Sequence, residues 1–177
     1  MNKMAEEIRA IEISIPIGAD VAAGLKAGDR ISISGKIYTG RDSALPKLVA
    51  LYRSGGLAGQ GIDLQGSAIF HTAVSPAGVG PTSSNKAEIE ESIPALSEAG
   101  VRIHLGKGAL RPETIEALAE HSSVYAVLPP VTALLESRTK GKRIVLFEED
   151  GMEAMFELEV AGYPAIVAAA HGGSIFG

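Results

Sequence analysis

Three short stretches of this chain set a cation beside glycines or hydroxyls: Thr39-Gly40-Arg41-Asp42, Gly80-Pro81-Thr82-Ser83-Ser84-Asn85-Lys86 and Gly106-Lys107-Gly108. The chemistry open to such residues is the binding of anions. Thr82, Ser83, Ser84 and Asn85 are residue types that cap helix N-termini through a side-chain oxygen. A helix start with unsatisfied N–H groups, and Lys86 beside it, suits a small anion. Arg41 can meet a carboxylate through a planar two-point contact, whereas Lys86 and Lys107 act as point charges. If the three loops share one edge of a sheet, their common ligand carries more than one negative charge. Each stretch also has a plain structural use. Gly-Lys-Gly makes a surface turn, Arg41 and Asp42 make a helix-start ion pair, and 82–85 caps a helix.

Other chemistries find less support. The chain has no cysteine, which excludes disulfides, thiolate nucleophiles and any cysteine-held metal or iron–sulfur centre on it. Of the histidines, His71 lies in an apolar run and His104 alternates out of a strand. His121 ends a helix, where a cation suits the dipole, and His171 precedes two glycines from which it could approach a ligand. With no His-x-His or His-Glu-x-x-His spacing, no metal site is expected on this chain. No Gly-x-Ser-x-Gly elbow supports a Ser–His–Asp triad, and 78–83 lacks the Gly-Lys-Ser/Thr ending of a phosphate loop. A net charge of −5 argues against nucleic-acid binding, which needs a basic face. No run approaches the ~18 apolar residues of a membrane span, and the N-terminus has no apolar h-region of a signal peptide. A soluble cytoplasmic protein is expected.

The elements that must position the three stretches follow from periodicity. At 177 residues and 46% hydrophobic, the chain fits one domain with a buried core; aromatics at 5% make that core aliphatic. Residues 10–17 and 30–38 alternate as half-buried strands around a short helical piece at 20–25. A helix begins at Asp42 or Ser43 and carries Leu45, Leu48 and Leu51 before Ser54-Gly55-Gly56 stops it. A buried strand is predicted over 67–74. The spacing of Ile89, Ile93 and Leu96 predicts a helix over 86–99, which Pro94 should kink or divide. Strands at 101–105 and 123–128 flank a helix that begins at Pro112. A short helix at 131–137, a strand at 143–147 and an acidic connection at 148–154 follow. Segments 155–160 and 165–170 read as two final strands joined by Ala161-Gly162-Tyr163-Pro164. From residue 67 on, strands and helices alternate, which indicates βαβ units and a largely parallel sheet. The β-rich front half makes the whole an α/β domain of mixed strands. In such sheets ligands gather at the carboxyl ends of strands, where all three cationic stretches fall.

These residues also resemble a known family. Lys36-Ile37-Tyr38-Thr39-Gly40-Arg41-Asp42 is similar to a signature of iron–sulfur-dependent (class I) fumarate hydratases and L-tartrate dehydratases, in their β-subunit or C-terminal domain. Gly80 to Lys86 resembles that family's Gly-Pro-Thr-Thr-Ser-x-Arg loop, and Gly106-Lys107-Gly108 its Gly-Lys-Gly. Gly151-Met152-Glu153-Ala154-Met155 and Ala170-His171-Gly172-Gly173-Ser174 are further landmarks in the same order. The resemblance implies a single hydro-lyase domain over 10–177 after an N-terminal extension at 1–9, with a swivelling β/β/α fold. It implies a [4Fe–4S] cluster held by three cysteines of a partner α-subunit, and none bound by this chain, which completes the pocket for a small dicarboxylate. Reversible hydration of fumarate to L-malate is the implied reaction, in a homodimeric or α2β2 assembly. Arg41, Gly80, Ser83, Lys86 and Lys107 would bind substrate; Thr82 would be the base and Lys107 would take part in catalysis. Ser83 keeps the hydroxyl of the family's second threonine. Lys86 stands where arginine is usual and lacks its bidentate fork, which leaves L-tartrate or another 2-hydroxy dicarboxylate as an alternative substrate. A non-catalytic anion-binding module of the same fold, or a mobile lid domain of an aconitase-like dehydratase, are the competing readings.

Overall fold

The computed structural model of the chain describes residues 9–80 and 85–176. The expected N-terminal extension, apart from Arg9, lies outside them. Strands β1 (Ile11–Ile15), β2 (Arg30–Thr39), β3 (Ala68–Phe70), β4 (Ile103–Gly106) and β5 (Val124–Val127) lie side by side in that order, all parallel. Strands β6 (Thr139–Leu146), β7 (Met155–Ala170) and β8 (Gly173–Ser174) complete an eight-stranded sheet. β7 runs antiparallel to β2, β5, β6 and β8. Because β7 pairs with both β5 and β2, the path β2–β3–β4–β5–β7 returns on itself. The fold is therefore mixed α/β, with a parallel stretch closed by one long antiparallel strand.

Alternation along the strands assigns each side chain to a layer. Ala68, Phe70, Ile103, Leu105, Val124 and Ala126 join Ile33, Ile37, Leu158, Tyr163 and Val167 in one core inside the strand circuit. The intervening residues point the other way. Ile69 packs with Leu45, Leu48, Ile89 and Leu96 from the helices α2 (Ala44–Ser54) and α3 (Lys86–Glu98). Tyr125 packs with Ile93 of α3 and Leu118 of α4 (Pro112–Glu120). Strands covered on both faces read as continuous apolar runs, which is how 68–70 and 124–126 look in the sequence. Two shorter helices, α1 (Ala19–Gly24) and α5 (Thr132–Ser137), sit between strands. Among the described residues no helix is long and apolar enough to cross a membrane.

Five expectations change. The sheet expected to be largely parallel has, among the described residues, four antiparallel strand pairings beside four parallel ones, because β7 runs against every strand it meets. The strand expected over 143–147 begins earlier, as Thr139–Leu146, because β7 supplies partners from Val160 down to Met155. The strand expected over 67–74 is only Ala68–Phe70, because Thr72 N–H turns back to the Phe70 carbonyl (3.0 Å) and the chain leaves the ladder. Pro94 removes one backbone donor but does not divide α3, which runs from Lys86 to Glu98 with Ile89, Ile93 and Leu96 buried on one face. The two final strands are one strand of 16 residues. Pro164 is tolerated there because β6 pairs with β7 only up to Val160 and β5 only from Ile166, so the stretch between has β2 on one side alone. The one-residue excess at Ala161-Gly162 is taken up as a bulge opposite Ile33–Gly35.

Candidate functional site

The parallel order of β2, β3 and β4 brings three strand ends to one edge. Gly40 N–H bonds the Phe70 carbonyl (3.0 Å) and His71 N–H bonds the Leu105 carbonyl (2.8 Å), so the ladder extends into the residues that carry the candidate site. Arg41 follows β2, His71 and Thr72 follow β3, and Lys107 follows β4. Thr72 ties down the far end of its own loop. Its hydroxyl donates to the Gly80 carbonyl (2.9 Å), next to the stretch that leads into α3. Asn85 caps α3 through its side-chain oxygen, which accepts from Glu88 N–H (3.4 Å).

Lys86, the first residue of α3, turns across to the Gly-Lys-Gly turn. Its Nζ donates to the Lys107 carbonyl (2.7 Å). Glycine suits both ends of this turn, Gly108 through its left-handed backbone and Gly106 through tight packing. A Cβ on Gly108, which has φ +78°, would stand 2.7 Å from Lys86 Nζ, and one on Gly106 would stand 3.0 Å from His71 Nδ1. Lys86 and Lys107 line one small cavity of about 10 Å3 with His71, Glu90, Leu110 and Tyr125. That volume is about one water centre. Among the described residues neither lysine forms a salt bridge.

The cavity is electrostatically uneven. Burial holds the Lys86 ammonium below the ordinary lysine value, Glu90 opposes this, and the Lys107 ammonium adds to the lowering. His71 is pushed down to about 3 by burial and then by Lys86, so it stays a neutral imidazole. Its Nε2 is buried and has no hydrogen-bond partner among the described residues. His104, behind it, is also held well below its usual value by burial, and its Nε2 meets Ser97 Oγ at 2.8 Å. The phenol of Tyr125 is raised by burial and by Glu90. Two ammonium groups against the one carboxylate of Glu90, beside neutral rings, leave the lining net positive, which favours an anionic ligand.

Arg41 sits apart from the lysines. It lines a wider cavity of about 360 Å3 with Thr72, Gly80, Thr132 and Met152. Its guanidinium is paired with Glu153, whose Oε2 accepts from Nε at 3.3 Å. Glu153 belongs to a 3-10 segment, Glu148–Glu153, that Lys47 also anchors through Asp150 (2.6 Å). The expected single cluster of three cations is thus two neighbouring cavities on either side of His71 and Thr72. Thr82 and Ser83, named as base and helper, lie outside the described residues. Glu90, Glu153, His71 and Tyr125 were not singled out in the sequence as site residues; a carboxylate at 153, inside the Gly-Met-Glu-Ala-Met landmark, was the available signal. His171 is exposed in the turn between β7 and β8. Among the described residues no group of His, Asp and Glu could hold a metal ion.

Two further grooves fit an anion less well. One of about 400 Å3, between Arg30, Leu128 and Ile166, is mainly apolar. Another of about 480 Å3 carries Asp63, Glu157 and Glu159 and so has the wrong sign.

The chain as a whole is similar to known proteins. The family described as "Fumarase C-terminus" matches residues 1–177. A "Putative L(+)-tartrate dehydratase subunit beta" of Methanocaldococcus jannaschii is 34% identical over 167 residues, covering 86% of this chain and 84% of that one. A "Putative fumarate hydratase class I" of Geobacillus stearothermophilus is 30% identical over 182 residues, covering 96% of this chain; the chain spans only 34% of that longer relative. The L(+)-tartrate dehydratase subunit beta of Escherichia coli (strain K12) is 29% identical over 132 residues, 70% of this chain and 63% of that one. With the match running the whole length of the chain, through all three cationic strand ends, this protein belongs to the fumarase C-terminus family.

Proposed function

We propose that this chain is the β-subunit of a [4Fe–4S]-dependent hydro-lyase and completes the dicarboxylate pocket for reversible hydration of fumarate to L-malate. The observation that carries the reading is the pair Lys86 and Lys107, drawn together at the end of β4 without a salt bridge among the described residues. Supporting it are the relatives that bear the names subunit beta and fumarate hydratase class I.

In this reading Lys107 and Lys86 bind one carboxylate, and Arg41 addresses the other after partial release from Glu153. The same cations stabilise the enolate-like charge that builds as a proton leaves carbon; preorganised charge of this kind supplies much of the barrier lowering in many such reactions. Thr82 accepts that proton as an alkoxide, its hydroxyl acidified by the nearby cations and its own proton having passed to solvent beforehand, and Ser83 supports it by a hydrogen bond, roles taken from the resemblance to the family loop. The cluster belongs to a cysteine-bearing α-subunit, since this chain has no cysteine. When bound there, it supplies Lewis acidity toward the substrate's hydroxyl. The domain is of the swivelling β/β/α kind, a reading supported by its closed strand circuit; we place it in the cytoplasm, in a homodimeric or α2β2 assembly.

A second substrate, L-tartrate, is favoured by the names of two of the relatives and by Lys86 in the place where arginine is usual. The test is to mix the chain anaerobically with a three-cysteine α-subunit and follow fumarate, L-malate and L-tartrate. Turnover is expected only in the mixture. Turnover by the isolated chain, or none in the mixture with any hydroxy-diacid, overturns the proposal.

A further inference from the structure

Glu90 is 5% exposed, a degree of burial that carboxylates seldom reach without partners. It lies on α3 one turn beyond Lys86, so the two side chains leave the same face of the helix. Glu90 Oε1 accepts from Arg111 N–H (2.8 Å) and from the Thr114 hydroxyl (3.0 Å), with Arg111 Nε at 3.7 Å. Arg111 is the N-cap of α4, and its own side chain makes no cap bond. The first N–H groups of a helix have no partner within it. Here the partner comes from a different helix.

The consequence lies in the loop between β4 and α4. Lys86 holds its first residue by the Lys107 carbonyl, and Glu90 holds its last by the Arg111 amide. Both grips come from α3, whose N-terminus continues the stretch containing Gly80. We infer that Glu90 is a positioning residue that clamps the Lys107 loop to α3, so that Lys86 and Lys107 present their ammonium groups to a dicarboxylate as one rigid unit. This rests on the proposed reading of Lys107 as a ligand-binding residue, but the clamp itself is a property of the chain. Glu90 turns Oε1 toward α4, and its carboxylate also lines the cavity shared by Lys86 and Lys107, where its charge offsets theirs in part.

Glu90→Gln keeps the accepting oxygen and loses the charge, whereas Glu90→Ala loses both. Hydrogen exchange of the wild-type chain should show the Arg111 amide as protected as amides inside α4. In Glu90→Ala, exchange over 107–111 should quicken at least tenfold while the rest of the sheet is unchanged; Glu90→Gln should stay within about threefold of wild type. In the assembled enzyme, kcat/KM for the dicarboxylate should fall at least tenfold in Glu90→Ala and recover most of that loss in Glu90→Gln. If Glu90→Ala does not fold, Glu90→Met, of similar length and without an acceptor, takes its place. An unprotected Arg111 amide in the wild type, or variants that match wild type in exchange, overturns the clamp. An assembly that turns over no hydroxy-diacid instead defeats the functional reading and leaves exchange to decide the clamp.

Discussion

An exposed lysine in a turn ordinarily contributes little to a fold, and substituting one usually changes stability by no more than about 0.5 kcal/mol. Lys107 is such a residue, and its backbone carbonyl, not its ammonium, takes the Lys86 hydrogen bond. Lys107→Ala therefore separates structure from function. The melting temperature should hold within a degree or two, while kcat/KM of the assembled enzyme should drop by roughly 10²–10³, the usual cost of one charge-stabilising donor. A loss of fold with no selective loss of turnover would return the Gly-Lys-Gly turn to a structural role. Arg41, Lys86 and Lys107 were legible as candidates because a cation beside glycine after a strand, or behind a run of capping residues at a helix start, needs no tertiary information to be noticed. Glu90, Glu153 and His71 were not. Glu90 and Glu153 matter through partners at Arg111 and Arg41, and those pairings exist only once α3, α4 and the Glu148–Glu153 segment are packed. His71 was absorbed into an apolar run because its neighbours on β3 are buried.

At the scale of elements, periodicity located most strands and helices, and it failed where pairing overrides local signals. Gly162 and Pro164 look like a turn between two strands. In the folded chain they sit within β7, because β2 supplies ladder partners on both sides of the bulge, Ile33 opposite Tyr163 and Gly35 opposite Val160. Gly35 is the other half of that device. It has φ +121°, and a Cβ there would lie 2.6 Å from the Ile15 carbonyl oxygen on β1. Gly35→Ala should therefore cost about 2–4 kcal/mol, from backbone strain and from a clash with an unyielding main chain. Urea denaturation would measure it, and a loss below about 0.5 kcal/mol would mean that β1 can shift away from β2. Pro94 illustrates the opposite balance: a local breaker is overruled because Ile89, Ile93 and Leu96 keep one face of α3 buried.

For the whole molecule, the closure of the strand circuit through β7 was not legible, because it depends on pairings between 30–38 and 157–166 that no local pattern encodes. The packing of α3 on the outer face of the sheet has a consequence for acid stability. It covers His71 and His104, where His71 meets Lys86, stacks on Tyr125 and faces His104, and where Glu90 lines the same cavity. Burial, reinforced by Lys86 at His71 and by His71 and Arg102 at His104, holds both imidazoles neutral, His71 down to about 3. The unfolded chain takes up a proton on each near pH 6.5, whereas the folded chain does not until far lower pH. Between those values the unfolded state binds more protons, so stability rises with pH and is lost as pH falls below about 6.5. His71 should contribute a loss on the order of 2 kcal/mol between pH 7 and pH 5, and His104 adds a loss of the same sign. Urea midpoints at pH 7, 6 and 5 should fall in step for the wild type, and His71→Leu, which cannot titrate, should lose less over the same interval. A wild-type midpoint that stays level from pH 7 to 5 would show that the sheet and α3 open to water at these histidines well before the chain unfolds.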